Sequence, residues 1–168
     1  MILQETQTLP NGVAVPKIAL GTWMIDDDKV GEAVVAAIKL GYRHIDTAQG
    51  YGNEAAVGRA VAESGLDRAE IFLTTKISRG NLAARDFRDS AARSLDALRT
   101  DQVDLFLAHW PVAETPISVV LEALAEIQFT GRARLVGGRL LGVRLALGAH
   151  ARFGLGLGGF LGRLDVGL

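Results

Sequence analysis

Five short apolar stretches recur along the chain at nearly equal intervals, and a helical pattern of apolar residues follows each of the first four. The stretches start near positions 18, 44, 71, 103 and 133, so successive starts lie 26, 27, 32 and about 30 residues apart. A unit of one strand and one helix has about this length. Strict alternation of such units predicts a parallel sheet whose strands are covered by helices.

The individual elements follow from apolar spacing and capping residues. The spacing predicts strands at residues 18–20, 43–47, 71–76, 103–109 and 133–136, and helices at 28–40, 53–64 and 83–98. Thr115 and Pro116 indicate a fourth helix, with the threonine as N-cap and the proline in the first helical position. Before the first unit, Asn11-Gly12 predicts a β-hairpin, because glycine accepts the positive φ of a tight turn.

Two architectures are built from such units, an open doubly wound sheet and a closed (β/α)8 barrel. Open sheets that bind nucleotides usually carry a G-x-G-x-x-G loop after the first strand. Here the first strand is followed by Gly21-Thr22-Trp23-Met24, which lacks that pattern. The sequence therefore favours the α/β fold of a (β/α)8 TIM barrel, and its four to five βα units amount to a truncated half-barrel.

The composition changes abruptly at Gly137. The last 32 residues contain ten glycines, nine leucines and four arginines, but no glutamate, lysine, serine or threonine. Each glycine inside a helix costs about 1 kcal/mol relative to alanine. We therefore predict a half-barrel at residues 1–136 and a poorly ordered tail at residues 137–168. The tail is either a natural flexible segment or the product of a shifted reading frame in a GC-rich gene, and its composition favours the second.

Charge and cysteine content exclude several classes of function. A net charge of −1 predicts no general attraction to nucleic acid or to acidic membranes. Without cysteine the chain has no disulfide and no thiolate metal site, and no metal site is predicted. No basic and apolar leader and no apolar run of about 18 residues is present, so we expect a cytoplasmic protein.

Three polar residues stand at the carboxyl ends of predicted strands, where barrel enzymes place their catalytic groups. They are Asp46, Lys76 and His109, and Tyr51 lies on the loop just after Asp46. A phenol is a weak acid at neutral pH, and an ammonium group beside it stabilises the phenolate. An imidazole can hold a carbonyl oxygen. The set suits protonation of an oxyanion as a hydride reaches the carbonyl carbon, with Tyr51 as the general acid.

Each of these residues also has an ordinary structural explanation when it is considered alone. A strand-end aspartate can cap a helix, a tyrosine can pack with a solvated hydroxyl, and His109 can be a structural histidine. Lys76 can be a solvated strand end or a Schiff-base nucleophile of an aldolase. His44 and His150 are expected to be structural or incidental. Tyr51 and His109 together favour carbonyl reduction over the aldolase reaction.

The motifs around these residues resemble those of the aldo-keto reductases, and most closely the 2,5-diketo-gluconate reductase branch. The resemblance covers residues 9–136 and is carried by Gly-Tyr-Arg-His-Ile-Asp-Thr-Ala at 41–48, Tyr51 with Asn53-Glu54, Thr-Thr-Lys at 74–76, and Leu-Ala-His-Trp-Pro at 107–111. It implies NADPH as cofactor and Asp46, Tyr51, Lys76 and His109 as the catalytic tetrad. It further implies that Gly21, Thr22, Trp23 and Asp46 contact the cofactor, and that Trp23, His109 and Trp110 line the substrate pocket.

Two segments depart from the family pattern. Ile77-Ser78-Arg79 stands where the family usually has a bulky or aromatic residue, and Gly137-Gly138 replaces the Ser-Asn that follows the fifth strand. The family's later glutamine and its basic residues for the cofactor phosphate have no counterpart after residue 136.

Two hypotheses about function follow. The chain reduces a small aldehyde, ketone or keto-sugar acid with NADPH, or it is an inactive fragment without the cofactor-binding half. An unpaired fifth strand would expose an edge, so self-association is also expected.

Overall fold

The computed structural model describes residues 2–110, 112–140 and 143–147. The strands are β1 (Thr6–Thr8), β2 (Ala14–Pro16), β3 (Leu20–Gly21), β4 (His44–Asp46), β5 (Phe72–Ile77), β6 (Val103–Ala108), β7 (Ala133–Leu140) and β8 (Val143–Leu147). The helices are α1 (Asp27–Lys39), α2 (Glu54–Ala62), α3 (Ala84–Ala97) and α4 (Ile117–Phe129). None of the helices among these residues combines the length and hydrophobicity needed to cross a bilayer.

The first two strands form the predicted hairpin. Strands β1 and β2 pair antiparallel, with Gln7 opposite Val15. Gly12 has a φ of 83°, and its N–H donates to the Leu9 carbonyl at 2.8 Å. The Asn-Gly prediction is confirmed, because the turn requires a positive φ that glycine adopts without steric cost.

Strands β3 to β7 form one sheet in sequence order, and every adjacent pair among them is parallel. Alternate residues on one face of the sheet are buried against the helices, among them Ile45, Leu73 and Phe106. They join apolar residues of all four helices in one hydrophobic core. The opposite face carries Asp46 and Lys76. The predicted alternation of strands and helices is thus confirmed, because apolar spacing reports which face each element buries.

The fourth helix begins one residue later than predicted. Pro116, and not Thr115, is the N-cap, with an extended ψ of 137°. The Pro116 carbonyl accepts hydrogen bonds from Val119 and Val120, which close the first turn. The prediction of Thr115 as N-cap is therefore wrong.

The edge strand differs from the prediction. Strand β7 continues to Leu140, and β8 pairs antiparallel with it, with Arg139 opposite Arg144. The expectation of an unpaired fifth strand is wrong over 136–140, because β8 satisfies the backbone groups of that segment. The segment that forms β8 has apolar residues at alternate positions and contains no glycine itself, but it lies within the glycine-rich tail that was predicted to be poorly ordered. Residues 148–168 lie outside the described residues, and the division of the chain at residue 136 stays a prediction.

An ion-pair network lies near the start of β6. The buried carboxylate of Asp104 accepts hydrogen bonds from Arg68 at 3.0 Å, from Arg134 at 2.8 Å and from the Leu73 N–H at 2.9 Å. A buried carboxylate requires this degree of pairing. The network connects β5, β6 and β7 near their amino ends. It therefore lies at the opposite edge of the sheet from the predicted catalytic residues, which stand at the carboxyl ends.

Candidate active site

Three of the predicted catalytic residues lie at the carboxyl ends of neighbouring strands. Asp46 ends β4, Lys76 is the penultimate residue of β5, and His109 directly follows β6. The His109 N–H donates to the Ile77 carbonyl at 3.1 Å, which fixes it beside β5. Tyr51 ends a 3-10 turn over Gln49–Tyr51, between β4 and α2. Parallel pairing therefore brings these residues to one edge of the sheet.

Lys76 is the centre of the group. Its ammonium forms an ion pair with the Asp46 carboxylate and donates to the Thr47 carbonyl at 2.9 Å and to the Tyr51 hydroxyl at 3.4 Å. Its side chain is 12% exposed. An ammonium has three donors, and each has an acceptor here. This arrangement disfavours the Schiff-base reaction, because that reaction needs a free amine lone pair.

Tyr51 and His109 face each other across the same space. Their ring centroids are 5.7 Å apart with an interplanar angle of 75°, which is an edge-to-face contact. The Lys76 ammonium lies 5.1 Å from the centre of the tyrosine ring. A phenol, an ammonium, a carboxylate and an imidazole thus converge at one place, as the sequence predicts.

Trp110 extends the site away from Tyr51. Its ring stacks on His109 at a centroid distance of 5.9 Å and an angle of 24°, and 36% of the residue is exposed. Trp110 has a second contact, with Arg79, whose guanidinium carbon lies 5.5 Å from the indole centre. Trp110 therefore gives the site an apolar wall whose outer part meets a cation.

The loop after β3 lies next to Asp46. The Thr22 N–H donates to the Asp46 carbonyl at 2.9 Å, and Thr22 is fully buried. Trp23 is 70% exposed. A Cβ placed on Gly21 would have no atom within 4 Å apart from those of Gly21 and its two chain neighbours. The buried threonine anchors the loop, while the glycine and the indole leave an open surface beside Asp46.

Asn53 organises two of these loops, a role that its place in a sequence motif does not indicate. It is fully buried, and its amide nitrogen donates to the carbonyls of Thr22 at 3.0 Å and Ile25 at 2.9 Å. Its amide oxygen accepts from the Thr47 hydroxyl at 3.0 Å. A buried primary amide can satisfy several backbone and side-chain groups at once. The one sequence signal is an asparagine before a helix, which ordinarily indicates a cap.

Gln49 connects the turn that carries Tyr51 to the segment after β5. Its side-chain oxygen accepts hydrogen bonds from the Ser78 N–H at 3.3 Å, the Asn81 amide at 2.9 Å and the Ser90 hydroxyl at 2.8 Å. A cluster of this kind joins residues up to 41 positions apart. No local pattern in the sequence indicates it.

Glu54, the first residue of α2, is buried beneath the site. Its carboxylate accepts hydrogen bonds from the hydroxyls of Thr75 and Ser94. Burial raises the pKa of Glu54, and these two bonds and the nearby Lys76 act against that rise. The residue ties α2 and α3 to the strand position next to Lys76, so it supports the site from behind.

His44 has a structural role, as its sequence context predicts. Its Nδ1 lies 3.2 Å from the Pro16 carbonyl and its Nε2 lies 2.9 Å from the Thr74 hydroxyl. The neutral ring satisfies both contacts when Nδ1–H donates to Pro16 and Nε2 accepts from Thr74. Burial lowers the pKa of His44 below its usual value of 6.5, against smaller effects in the other direction from Pro16 and Asp46.

This shift predicts a pH dependence of stability. In the unfolded chain His44 takes up a proton as the pH falls through about 6.5, whereas in the folded chain it does so only at lower pH. Its contribution to stability is therefore complete above that pH and is lost during acidification below it, by at most about 1.4 kcal/mol per pH unit. Urea unfolding between about pH 7.5 and 5.5 should show a shallower loss in His44→Gln than in the wild type. Equal slopes in the two proteins would contradict the assignment.

A separate cavity of about 550 Å³ lies between α1 and α2 and is lined by residues such as Gly31, Val35 and Ala60. None of the predicted catalytic residues lines it. The cavity therefore does not belong to the site built around Lys76.

The fold is an α/β sheet of parallel strands with polar residues at the strand ends, and comparison with known proteins gives the family. The model of the aldo/keto reductase family matches residues 17–140, so the chain belongs to the aldo/keto reductase family. The predicted family is confirmed. This result also confirms the predicted fold class, an α/β chain that corresponds to part of a (β/α)8 barrel.

The similar proteins include bacterial and animal reductases. The chain is 48% identical to the methylglyoxal reductase DkgB of Escherichia coli O157:H7 over 127 residues, which are 74% of this chain and 48% of that protein. A crystal structure of a putative 2,5-diketo-D-gluconic acid reductase B superposes with a TM-score of 0.77 at 41% identity, over 82% of this chain and 49% of that one.

A Bombyx mori aldo-keto reductase in complex with NADP superposes with a TM-score of 0.74 at 33% identity, over 80% of this chain and 50% of that one. The chain spans about half the length of the curated relatives it matches.

Proposed function

We propose that this chain carries the catalytic half of an NADPH-dependent reductase of small carbonyl compounds. The observation that supports the proposal is the convergence of Lys76, Tyr51 and His109, with the ammonium donating to the phenol at 3.4 Å and the phenol ring 5.7 Å from the imidazole. This arrangement suits transfer of a proton to a carbonyl oxygen. The names of the similar proteins, a methylglyoxal reductase and a diketogluconic acid reductase, agree with that chemistry.

Tyr51 is the proposed general acid. Its hydroxyl proton passes to the substrate oxygen as negative charge develops there. The phenolate that remains is stabilised by the Lys76 ammonium, because opposite charges attract and only 12% of the Lys76 side chain is exposed to solvent. Asp46 holds the ammonium in place through their ion pair. His109 lies across from the phenol, where an imidazole N–H can donate to the same carbonyl oxygen and orient it.

The residues next to Asp46 fit a flat cofactor ring. Gly21 has no Cβ to obstruct an approach, and the exposed indole of Trp23 offers an apolar surface beside it. Aromatic rings stack well on such surfaces. We infer that Gly21 and Trp23 border the nicotinamide, and that the buried Thr22 holds their loop in position without itself presenting a surface to the ring. When bound, NADPH supplies the hydride that reduces the carbonyl carbon.

The proposed substrate class rests on the two tryptophans near the polar group around Lys76. Trp23 and Trp110 are flat, partly exposed apolar surfaces on either side of the polar group around Lys76. They suit a small aldehyde, ketone or keto-sugar acid, with its oxygen at Tyr51. The proposed partner is thus a small molecule.

Cofactor binding is the direct test of this proposal. Titration of the purified chain into NADPH, followed by nicotinamide fluorescence, should give saturable binding with a micromolar dissociation constant. Trp23→Ala should weaken the binding by about tenfold, since stacking on an exposed indole contributes about 1 kcal/mol or more. Phe129→Ala is the matched control, because Phe129 is also an exposed aromatic residue but lies at the end of α4.

Two outcomes would oppose the proposal. Absence of saturable binding would favour the alternative hypothesis, in which this chain alone lacks the cofactor-binding part. Equal weakening by the Trp23 and Phe129 substitutions would remove the assignment of Trp23 while leaving the reductase proposal in place.

A further inference from the structure

Arg79 is a cation at the edge of the site that the proposed reaction does not use. It follows β5, three residues after Lys76, and begins a 3-10 turn over Arg79–Asn81. The side chain is exposed, and its guanidinium carbon lies 5.5 Å from the centre of the Trp110 ring. In the described parts of the chain no carboxylate lies within ion-pair distance of Arg79.

The turn that carries Arg79 is attached to the turn that carries Tyr51. The Gln49 side-chain oxygen accepts hydrogen bonds from the Ser78 N–H at 3.3 Å and from the Asn81 amide at 2.9 Å. These two residues flank Arg79 and Gly80, and Gln49 itself begins the turn that ends at Tyr51. The position of Arg79 relative to the phenol is therefore set by short, direct contacts and not by a free loop.

The contact with Trp110 holds the Arg79 guanidinium in an orientation suited to binding an anion. Interaction with an aromatic ring holds the group in place while its N–H donors stay available in its own plane. Those donors match the two oxygens of a carboxylate. An ordinary surface arginine loses conformational entropy when it binds an anion, and an arginine already held near an aromatic ring loses less.

The charge of the site also favours an anion. The charges of Asp46 and Lys76 cancel in their ion pair, and the ammonium has no donor left for a ligand. Among the residues that the structure describes, Arg79 is then an uncompensated positive charge near the wall formed by His109 and Trp110. A substrate whose carbonyl reaches Tyr51 along this wall meets a cation at its other end.

We propose that Arg79 binds a carboxylate of the substrate and so selects oxo acids over uncharged carbonyl compounds. The inference rests on the proposed reductase function, which supplies the carbonyl end of the substrate. It assigns a substrate-binding role to the Ile77-Ser78-Arg79 segment, where the sequence departs from the family pattern.

The test uses two aldehydes of equal carbon number, 4-oxobutanoate and butanal, with NADPH as reductant. The wild-type chain should show the higher kcat/KM for 4-oxobutanoate. Arg79→Gln should lower that value by about tenfold, chiefly through KM, and leave butanal unchanged. Arg79→Lys keeps the positive charge but lacks the planar guanidinium, so it should retain part of the preference for 4-oxobutanoate over butanal. Arg93→Gln is the matched control, since Arg93 is an exposed arginine on α3 and its loss changes net charge equally.

Quenching of tryptophan fluorescence provides a second measurement that needs no turnover, because Trp110 lies against Arg79. 4-Oxobutanoate should quench the wild type at lower concentration than it quenches Arg79→Gln, and butanal should not distinguish them. Arg79-dependent binding without NADPH oxidation would support the anion site and overturn the reductase function. Turnover of both aldehydes at the same ratio in wild type and Arg79→Gln would overturn the anion site alone. If the chain shows neither Arg79-dependent binding nor turnover, both the anion site and the reductase function are overturned.

Discussion

Replacement of Tyr51 by phenylalanine is expected to lower kcat for NADPH-dependent aldehyde reduction by between about 10²-fold and 10⁴-fold, the usual contribution of a positioned general acid. The substitution removes only the hydroxyl that accepts the Lys76 hydrogen bond at 3.4 Å. The ring remains, so its edge contact with His109 at 5.7 Å should persist. The loss should therefore appear in kcat, while the dissociation constant for NADPH changes little.

The second tyrosine of the chain is a matched control. Tyr42 lies between α1 and β4, and Tyr42→Phe removes a hydroxyl from the same residue type outside the site. It should retain the wild-type kcat. A Tyr51→Phe protein whose kcat stays within a few-fold of the wild type would show that another group protonates the substrate, and the mechanism proposed above would fail.

The largest expected effect on stability comes from Gly58→Ala. Gly58 lies in α2, and a Cβ there would be 2.6 Å from the Ala97 carbonyl oxygen and 2.6 Å from two backbone atoms of Leu98. Backbone at the end of α3 cannot turn aside as a flexible side chain can, so the two helices must move apart. We expect the free energy of unfolding to fall by about 3 kcal/mol or more, as measured by urea denaturation.

Gly31→Ala, in the neighbouring helix, is expected to change the free energy of unfolding in the opposite direction. Gly31 lies in α1, and the nearest atom to a Cβ at this position is the Ala56 carbonyl oxygen at 4.0 Å. The substitution should raise stability by about 0.5–1 kcal/mol, because alanine has the higher helix propensity and restricts the unfolded chain. If both alanine variants change stability in the same direction, the close approach of α2 and α3 is not what requires glycine at position 58.

The alternation of elements could be predicted because it depends on local spacing. Apolar residues at intervals of three and four, or in short runs, report the buried face of each element. Predicted and observed strands overlap for all five predicted strands, and the predicted helices match α1 to α4 within a few residues. The errors lie at element ends, as at Thr115, and in β8, which lies within the glycine-rich tail that was predicted to be poorly ordered.

The convergence of the site could be predicted for a related reason. Parallel strands place their carboxyl ends at one edge of a sheet, so Asp46, Lys76 and His109 had to approach one another once the strands were assigned. Their ion pair, hydrogen bonds and ring contacts bear out that expectation of proximity. Their catalytic roles remain a proposal, tested by the Tyr51 substitution above.

The sequence by itself determined the order of strands and helices, the family and the residues that stand at the carboxyl edge of the sheet. Only the tertiary structure showed that Asn53 joins the loops after β3 and β4, that Gln49 joins two turns, and that Arg79 lies over Trp110. The physical reason is the range of the interactions. Helical and strand periodicity arise between near neighbours, whereas these contacts join residues about 30 positions apart and form only when the parallel strands are packed side by side.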